Sequence, residues 1–235
     1  MRDEHPYPDD VGCPDRAAPA GFAEYGEEPS SGVDHRDLDG PGKVLRQLLD
    51  GNHRFRSGLP RHGHDVVQAR SSAERPRPVA LVIGCIDSRV PPEAVFDQGF
   101  GDLLVVRTAG HVLDSAATAS VELAVRRMGV ALVVVLGHEG CAAVEYAVDA
   151  VHRSEHPGGD LGYLVDQIAP SVPMDERLSG TETYDGAVRA HLSASVAAVR
   201  GVPTVARAVA AGTVAVAGIR YGITNGGAEL VVPAG

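Results

Sequence analysis

The chain has 235 residues and a formal net charge of −10, and 44% of its residues are hydrophobic. This length and composition predict one well-buried domain with a tail. An acidic chain lacks the basic surface that binds nucleic acid or an anionic membrane, and no stretch approaches the roughly 18 apolar residues of a membrane span. Three cysteines do not make a disulfide framework in a chain of this size, so we expect reduced thiols and a cytoplasmic location.

The beginning of the chain differs from the rest in charge. Residues 1–40 contain eleven acidic residues against three arginines, which leaves the other residues with a net charge of only −2. The segment is rich in proline and glycine and has no sustained hydrophobic period, so it cannot bury enough surface to offset the entropy of ordering. We therefore expect a disordered acidic arm over 1–40 and an ordered domain over 41–235.

The ordered part is predicted to begin with a helix and to continue with alternating strands and helices. The spacing of Val44–Leu49 predicts a helix that ends at Gly51-Asn52. Four short apolar runs, typical of buried parallel strands, lie at 79–83, 103–106, 131–136 and 214–219. Helical stretches are predicted at 115–128, 141–151 and 186–199. This alternation predicts an α/β fold with a central, mostly parallel β-sheet flanked by helices.

Three potential metal ligands follow two of the predicted strands. Cys85 comes directly after the first strand, and His138 and Cys141 follow the third strand, three positions apart, where one helical turn can point both inward. The carboxyl ends of neighbouring parallel strands meet in one crevice, so we expect these side chains to lie together. Two thiolates and an imidazole suit Zn²⁺, and a Cys₂His set with a free fourth position is typical of a catalytic zinc site.

Asp87 and Arg89 add a second element to this candidate site. Positions two apart in an extended loop point the same way, so the two side chains can pair on the metal side. The arginine would keep the carboxylate ionised and able to accept a hydrogen bond from a metal-bound water. If the pair opened, Asp87 could become a conditional fourth ligand and close the site. An ordinary loop salt bridge of little energetic value is the alternative.

These residues resemble the motifs of the β-class carbonic anhydrases. The likeness rests on Cys85-x-Asp87-Ser88-Arg89 and Gly137-His138-x-x-Cys141. Segments 51–55, 105–111 and 216–221 extend it, so that it covers roughly residues 43–232. The resemblance implies a β-carbonic-anhydrase-like fold and a zinc lyase that interconverts CO₂ and bicarbonate through a zinc-bound hydroxide. It also implies a homodimer or tetramer with its active sites at the dimer interface.

The resemblance assigns a role to each site residue. Cys85, His138 and Cys141 would hold Zn²⁺, Asp87 would orient the nucleophile or block the metal, and Arg89 would decide which of the two occurs. The released proton needs a group that titrates near neutral pH. Histidine has the right range, and the candidates are His53, His62, His64 and His111.

The chain also departs from the family pattern. Pro76 stands where the family commonly has a glutamine, Ala142 where a glycine follows the second metal cysteine, and Gly222 where an aspartate follows the tyrosine. Two other functions stay open. One is hydrolysis of a CO₂ analogue such as CS₂ or COS on the same architecture, and the other is a non-catalytic zinc-binding module that acts through its acidic arm.

Overall fold

A single mixed sheet organises the fold. The computed structural model describes residues 40–73, 76–175 and 180–235, so the arm predicted over 1–40 lies, apart from Gly40, outside the described residues. The strands of the sheet are β1 (Ala80–Cys85), β2 (Leu103–Thr108), β3 (Leu132–His138), β4 (Ala215–Tyr221) and β5 (Ala228–Val232). Their order is β2-β1-β3-β4-β5, with β1 to β4 parallel and β5 antiparallel to β4. The mostly parallel α/β sheet is confirmed.

Helices cover both faces of this sheet. Within the described ranges they are α1 (Pro41–Arg56), α2 (Val66–Ser72), α3 (Pro92–Val95), α4 (Ser115–Leu123), α5 (Ala142–His152), α6 (Gly159–Ile168), α7 (Gly180–Gly201) and α8 (Pro203–Ala210). A wider turn over Ala124–Met128 continues α4, so the helical stretch predicted at 115–128 is confirmed. None of the helices in these ranges combines the length and the apolar character that crossing a membrane requires.

The strands separate two hydrophobic layers. Ala80 and Val82 of β1 pack on the face covered by α1 and α3. Leu81 and Ile83 alternate with them and pack on the face covered by α4, α7 and α8. Every residue of β1 and β3 is buried, which explains why these strands form continuous apolar runs in the sequence instead of an alternating pattern.

The predicted end of α1 at Gly51-Asn52 is wrong, because the helix continues to Arg56. Gly51 lies where α1 passes closest to the chain after α3. A Cβ atom at this position would overlap the main-chain carbonyl oxygen of Phe96. Glycine is a poor helix former, and here it is kept inside a helix because no side chain fits between the two backbones.

Asn52 compensates for its own low helix propensity through tertiary hydrogen bonds. Its buried side-chain amide donates to the carbonyl oxygens of Val95 at 3.0 Å and Gly226 at 2.9 Å. Its side-chain oxygen accepts from the backbone N–H of Ala228 at 2.9 Å. One side chain thus ties α1 to the end of α3 and to the β4–β5 connection. Such contacts between distant segments leave no mark on the local sequence pattern.

Gly51→Ala is expected to destabilise the fold by about 3 kcal/mol, because the added methyl group meets a main-chain oxygen that cannot rotate away. Gly42→Ala in the same helix is the matched control. A Cβ there would lie 4.0 Å from Arg46 Nη1, in ordinary contact, and alanine should stabilise the helix by up to about 1 kcal/mol. Urea unfolding of both variants measures the difference, and equal midpoints would contradict the close approach at Gly51.

Candidate active site

The three predicted metal ligands meet at the carboxyl edge of the sheet. Cys85 is the last residue of β1, His138 is the last residue of β3, and Cys141 directly precedes α5. Since β1 and β3 are parallel neighbours, their ends lie side by side. The ligand atoms of the three residues all lie within 4.8 Å of one another, all three residues are buried, and the two Sγ atoms are 3.9 Å apart.

The imidazole of His138 is oriented for a metal. Its Nδ1 lies 2.9 Å from the carbonyl oxygen of Glu139, so this nitrogen carries the proton and donates it. Nε2 is then left with its lone pair. It is buried and receives no hydrogen bond of ordinary geometry from the described residues, while, against the opposing effect of burial, interaction with Cys85 raises the pKa of His138. A cation bound between the two groups would accept the Nε2 lone pair. The residues present therefore fit a metal ion.

The two thiols of the site do not ionise independently. The hydrogen bond with Cys141 lowers the pKa of Cys85, although burial opposes this change. The same hydrogen bond, together with burial, raises the pKa of Cys141. The protein alone thus favours one thiolate. A bound cation would stabilise both as thiolates, since the metal's own charge drives deprotonation of its ligands.

Asp87 and Arg89 pair beside this cluster. Arg89 Nη2 lies 2.6 Å from Asp87 Oδ2, and its Nε lies 3.0 Å from Oδ1. The backbone N–H of Arg89 also donates to Oδ1 at 2.9 Å. The side-chain hydrogen bonds from Arg89 are the main reason that the pKa of Asp87 is lowered to about 2, so the carboxylate is ionised at neutral pH. Asp87 is not a member of the three-residue ligand group found among the described residues.

Sequence reasoning missed two groups that hold this pair in place. Arg89 Nη2 also donates to the carbonyl oxygen of Gly140 at 3.1 Å, which joins the loop after β1 to the loop that carries Cys141. Arg107 Nε donates to the carbonyl oxygen of Cys85 at 2.8 Å, and its Nη2 donates to that of Asp87 at 2.5 Å. Arg107 lies in segment 105–111, which resembles a family motif, but nothing in the sequence indicated which groups its side chain binds.

The structure separates the four candidate histidines. His53 is exposed on α1. The ring of His62 is partly exposed and lies 3.1 Å from the buried carboxylate of Asp97. His64 hydrogen-bonds a backbone carbonyl at 3.1 Å. His111 is fully buried, and burial lowers its pKa well below the usual range. His111 is therefore a neutral interior residue, and its burial does not suit a group that exchanges protons with solvent.

A mostly parallel α/β sheet whose carboxyl edge brings together two thiols, an imidazole and an ionised carboxylate is typical of metal-dependent α/β enzymes. Known proteins agree with this class. The family model described as carbonic anhydrase matches residues 80–228. The carbonic anhydrase of Mycolicibacterium smegmatis is 41% identical over 192 residues, which cover 81% of this chain and 93% of the relative.

Solved structures share the fold. The Coccomyxa β-carbonic anhydrase in complex with acetazolamide superposes with a TM-score of 0.65 at 25% identity, covering 81% of this chain and 87% of the other. A tetrameric β-carbonic anhydrase from Sordaria macrospora has a TM-score of 0.64 at 21% identity, covering 82% and 98%. The chain belongs to the β-class carbonic anhydrase family, which confirms the resemblance found in its motifs.

Proposed function

We propose that this protein hydrates CO₂ reversibly to bicarbonate and a proton, with Zn²⁺ held by Cys85, His138 and Cys141. The observation that carries the proposal is the buried cluster of Cys85, His138 and Cys141, whose ligand atoms all lie within 4.8 Å of one another and in which His138 Nε2 receives no hydrogen bond of ordinary geometry from the described residues. Two sulfurs and one imidazole nitrogen are a donor set that favours zinc over magnesium or calcium. The family membership supplies the reaction.

Each residue of the site then has a defined task. When bound, zinc supplies Lewis-acid activation of a water molecule, so that a hydroxide nucleophile is available near neutral pH. The ionised Asp87 would accept a hydrogen bond from the nucleophile and so orient it towards CO₂. Arg89 keeps the carboxylate charged, and its second contact, with the carbonyl of Gly140, ties the pair to the loop that carries Cys141.

We infer that the pairing of Asp87 with Arg89 favours a site whose fourth metal position is free. Asp87 could act as a fourth ligand only if Arg89 released its carboxylate. Arg89 is held by both Asp87 and Gly140, so closing the site breaks contacts at two points. A non-catalytic zinc module usually has a permanent fourth protein ligand. The contacts of Asp87 with Arg89 therefore support a catalytic site in which the fourth position on the metal is free.

We also propose that the active enzyme is a cytoplasmic homodimer or tetramer. The side chain of Ile86, between Cys85 and Asp87, is 63% exposed, and that of Arg89 is 54% exposed. The relative from Sordaria macrospora is described as tetrameric, and a site that depends on thiolates suits a reducing compartment.

Stopped-flow CO₂ hydration with zinc-loaded full-length protein tests the proposed function. We expect acceleration that is lost on treatment with a zinc chelator and restored by added Zn²⁺. Parallel assays with CS₂ and COS, in which released sulfide is measured, test hydrolysis of the CO₂ analogues. Zinc-loaded protein that hydrates CO₂ no faster than buffer with zinc would refute the proposal, and sulfide release without CO₂ hydration would assign the analogue hydrolase.

A further inference from the structure

The loop after β2 has a backbone conformation that needs outside support. Gly110 and His111 follow each other with φ values of 58° and 49°, so both are in the left-handed region. Glycine tolerates this region, but for histidine it costs roughly 1 kcal/mol or more. Both residues are buried. Buried non-glycine residues remain in such a conformation only where their surroundings hold them there.

Helix α7 supplies that support through two side chains on one face. His191 Nε2 lies 3.0 Å from the carbonyl oxygen of Gly110, and Ser195 Oγ lies 3.3 Å from His111 Nδ1. The rings of His111 and His191 are stacked, with centroids 4.6 Å apart and an angle of 15° between their planes. His191 and Ser195 are four residues apart, which places them one above the other on the helix.

The same loop reaches the candidate metal centre. The backbone N–H of Gly110 donates to Cys85 Sγ at 3.4 Å. A Cβ at Gly110 would lie 3.2 Å from Ile168 and 3.3 Å from Ala143, so neighbouring helices leave little room for the loop to shift. The two main-chain polar groups of Gly110 thus have different partners. Its carbonyl oxygen accepts from His191, and its N–H donates to the sulfur of Cys85, a candidate metal ligand.

We propose that His191 is a positioning residue of the metal centre, which orients the Gly110 amide towards Cys85 Sγ by hydrogen bonding to the Gly110 carbonyl. An N–H donor stabilises thiolate character on the sulfur and fixes the direction of its lone pairs. The inference rests on the proposed role of Cys85 as a metal ligand. It adds α7, a helix far along the chain from both metal motifs, to the elements that determine metal affinity.

The choice of a histidine at this buried position supports the inference. Donation from Nε2 leaves Nδ1 as an acceptor, and this atom is buried with no partner among the described residues. Burial also lowers the pKa of His191, so the ring is neutral and one nitrogen carries a proton. A phenylalanine would fill the same space and stack on His111 without burying an unsatisfied nitrogen. What histidine adds is the donor to Gly110.

Zinc affinity of the full chain, measured by competition with a chromogenic chelator, tests the proposal. His191→Phe keeps the stacked ring and removes the donor, and we expect zinc binding about 10- to 100-fold weaker than in wild type. His191→Gln places an amide N–H near the original Nε2 and should restore affinity to within about threefold. Thr204→Val is the matched control, because it removes a partly buried hydrogen bond to Glu122 on α4 and should leave zinc affinity unchanged.

Co²⁺-substituted protein gives a second measurement that does not depend on activity. Loss of the N–H···S hydrogen bond raises the energy of the sulfur electrons, so the thiolate-to-cobalt absorption band of His191→Phe should move to longer wavelength. In His191→Gln it should stay at the wild-type position. A stability loss alone would weaken binding without moving this band.

The outcomes separate this inference from the proposed function. Wild-type protein that fails to bind zinc refutes the metal site itself. If wild type binds zinc, two results would overturn the role of His191. One is a folded His191→Phe variant with wild-type zinc affinity, and the other is a His191→Gln variant that binds zinc as weakly as His191→Phe. If His191→Phe fails to fold, His191→Asn replaces it in the test, because the shorter asparagine side chain cannot reach the Gly110 carbonyl. Weak zinc binding by His191→Asn, with near-wild-type binding by His191→Gln, supports the proposal. Wild-type zinc binding by His191→Asn overturns it.

Discussion

Asp87→Asn is expected to lower kcat/KM for CO₂ hydration by about 100-fold or more while zinc content stays at the wild-type level. The amide has nearly the same shape as the carboxylate, but it has one acceptor oxygen and no charge. Its NH₂ group would face the guanidinium of Arg89, so the pair cannot keep its two-point contact. Removal of a group that guides a proton in the transition state typically costs this much, and stopped-flow hydration with metal analysis of the same sample measures it.

The pH dependence of this effect follows from the lowered pKa of Asp87. Arg89 lowers that pKa to about 2 in the folded chain, so the carboxylate is charged at every working pH and would be neutralised only as the pH falls towards 2. The deficit of Asp87→Asn should therefore be equal at pH 7 and pH 9. A deficit that disappears at high pH would show that another group performs the assigned task.

Asp149→Asn is the matched control for this substitution. Asp149 also forms an ion pair with an arginine, Arg153, at 3.4 Å, but the pair is exposed on α5 and joins positions four apart. Exposed pairs of this kind contribute little, and an asparagine oxygen can still accept the 2.8 Å hydrogen bond that Tyr184 Oη donates to Asp149 Oδ1, so hydration should be unchanged. Wild-type turnover in Asp87→Asn would remove Asp87 from the mechanism. Equal losses in both variants would indicate a general effect of charge removal.

Cys85→Ala is expected to abolish zinc retention and, with it, CO₂ hydration. The substitution leaves two of three protein ligands, and it also removes the sulfur that accepts the Gly110 N–H. Ligands that bind only the folded state stabilise it, so zinc should raise the Tm of wild type and leave that of Cys85→Ala unchanged. Metal analysis after dialysis and thermal unfolding with and without zinc provide two independent measurements.

Cys13→Ala is the control for the loss of a thiol, since the sequence places Cys13 outside both metal motifs. It should retain zinc, the shift in Tm and full activity. Full zinc retention in folded Cys85→Ala would contradict the ligand assignment. Zinc loss in Cys13→Ala would mean that the arm contributes a ligand, a result that the motifs at 85–89 and 138–141 do not predict.

The central parallel strands and the three candidate metal ligands were predictable for related physical reasons. A strand buried on both faces must be apolar at every position, so β1 and β3 are visible as continuous runs. Binding sites in such folds lie at the carboxyl ends of the strands. A cysteine or histidine at the end of an apolar run is therefore a candidate site residue. Both edge strands are partly exposed. Strand β2 was predicted because it begins with four consecutive apolar residues, whereas β5 was missed because Glu229 interrupts its short apolar run.

The amino-acid sequence by itself thus determined the parallel strands, the candidate ligand set and the family, because each of these strands and each motif is a short run of characteristic residue types. Tertiary structure alone decided how the site is held. Asn52 continues a helix through bonds to segments more than 40 residues away, Arg107 binds the loop of Asp87, and His191 reaches Gly110 across 81 positions. These contacts join single polar groups on separate elements, and no local period or spacing records which distant carbonyl a side chain will meet.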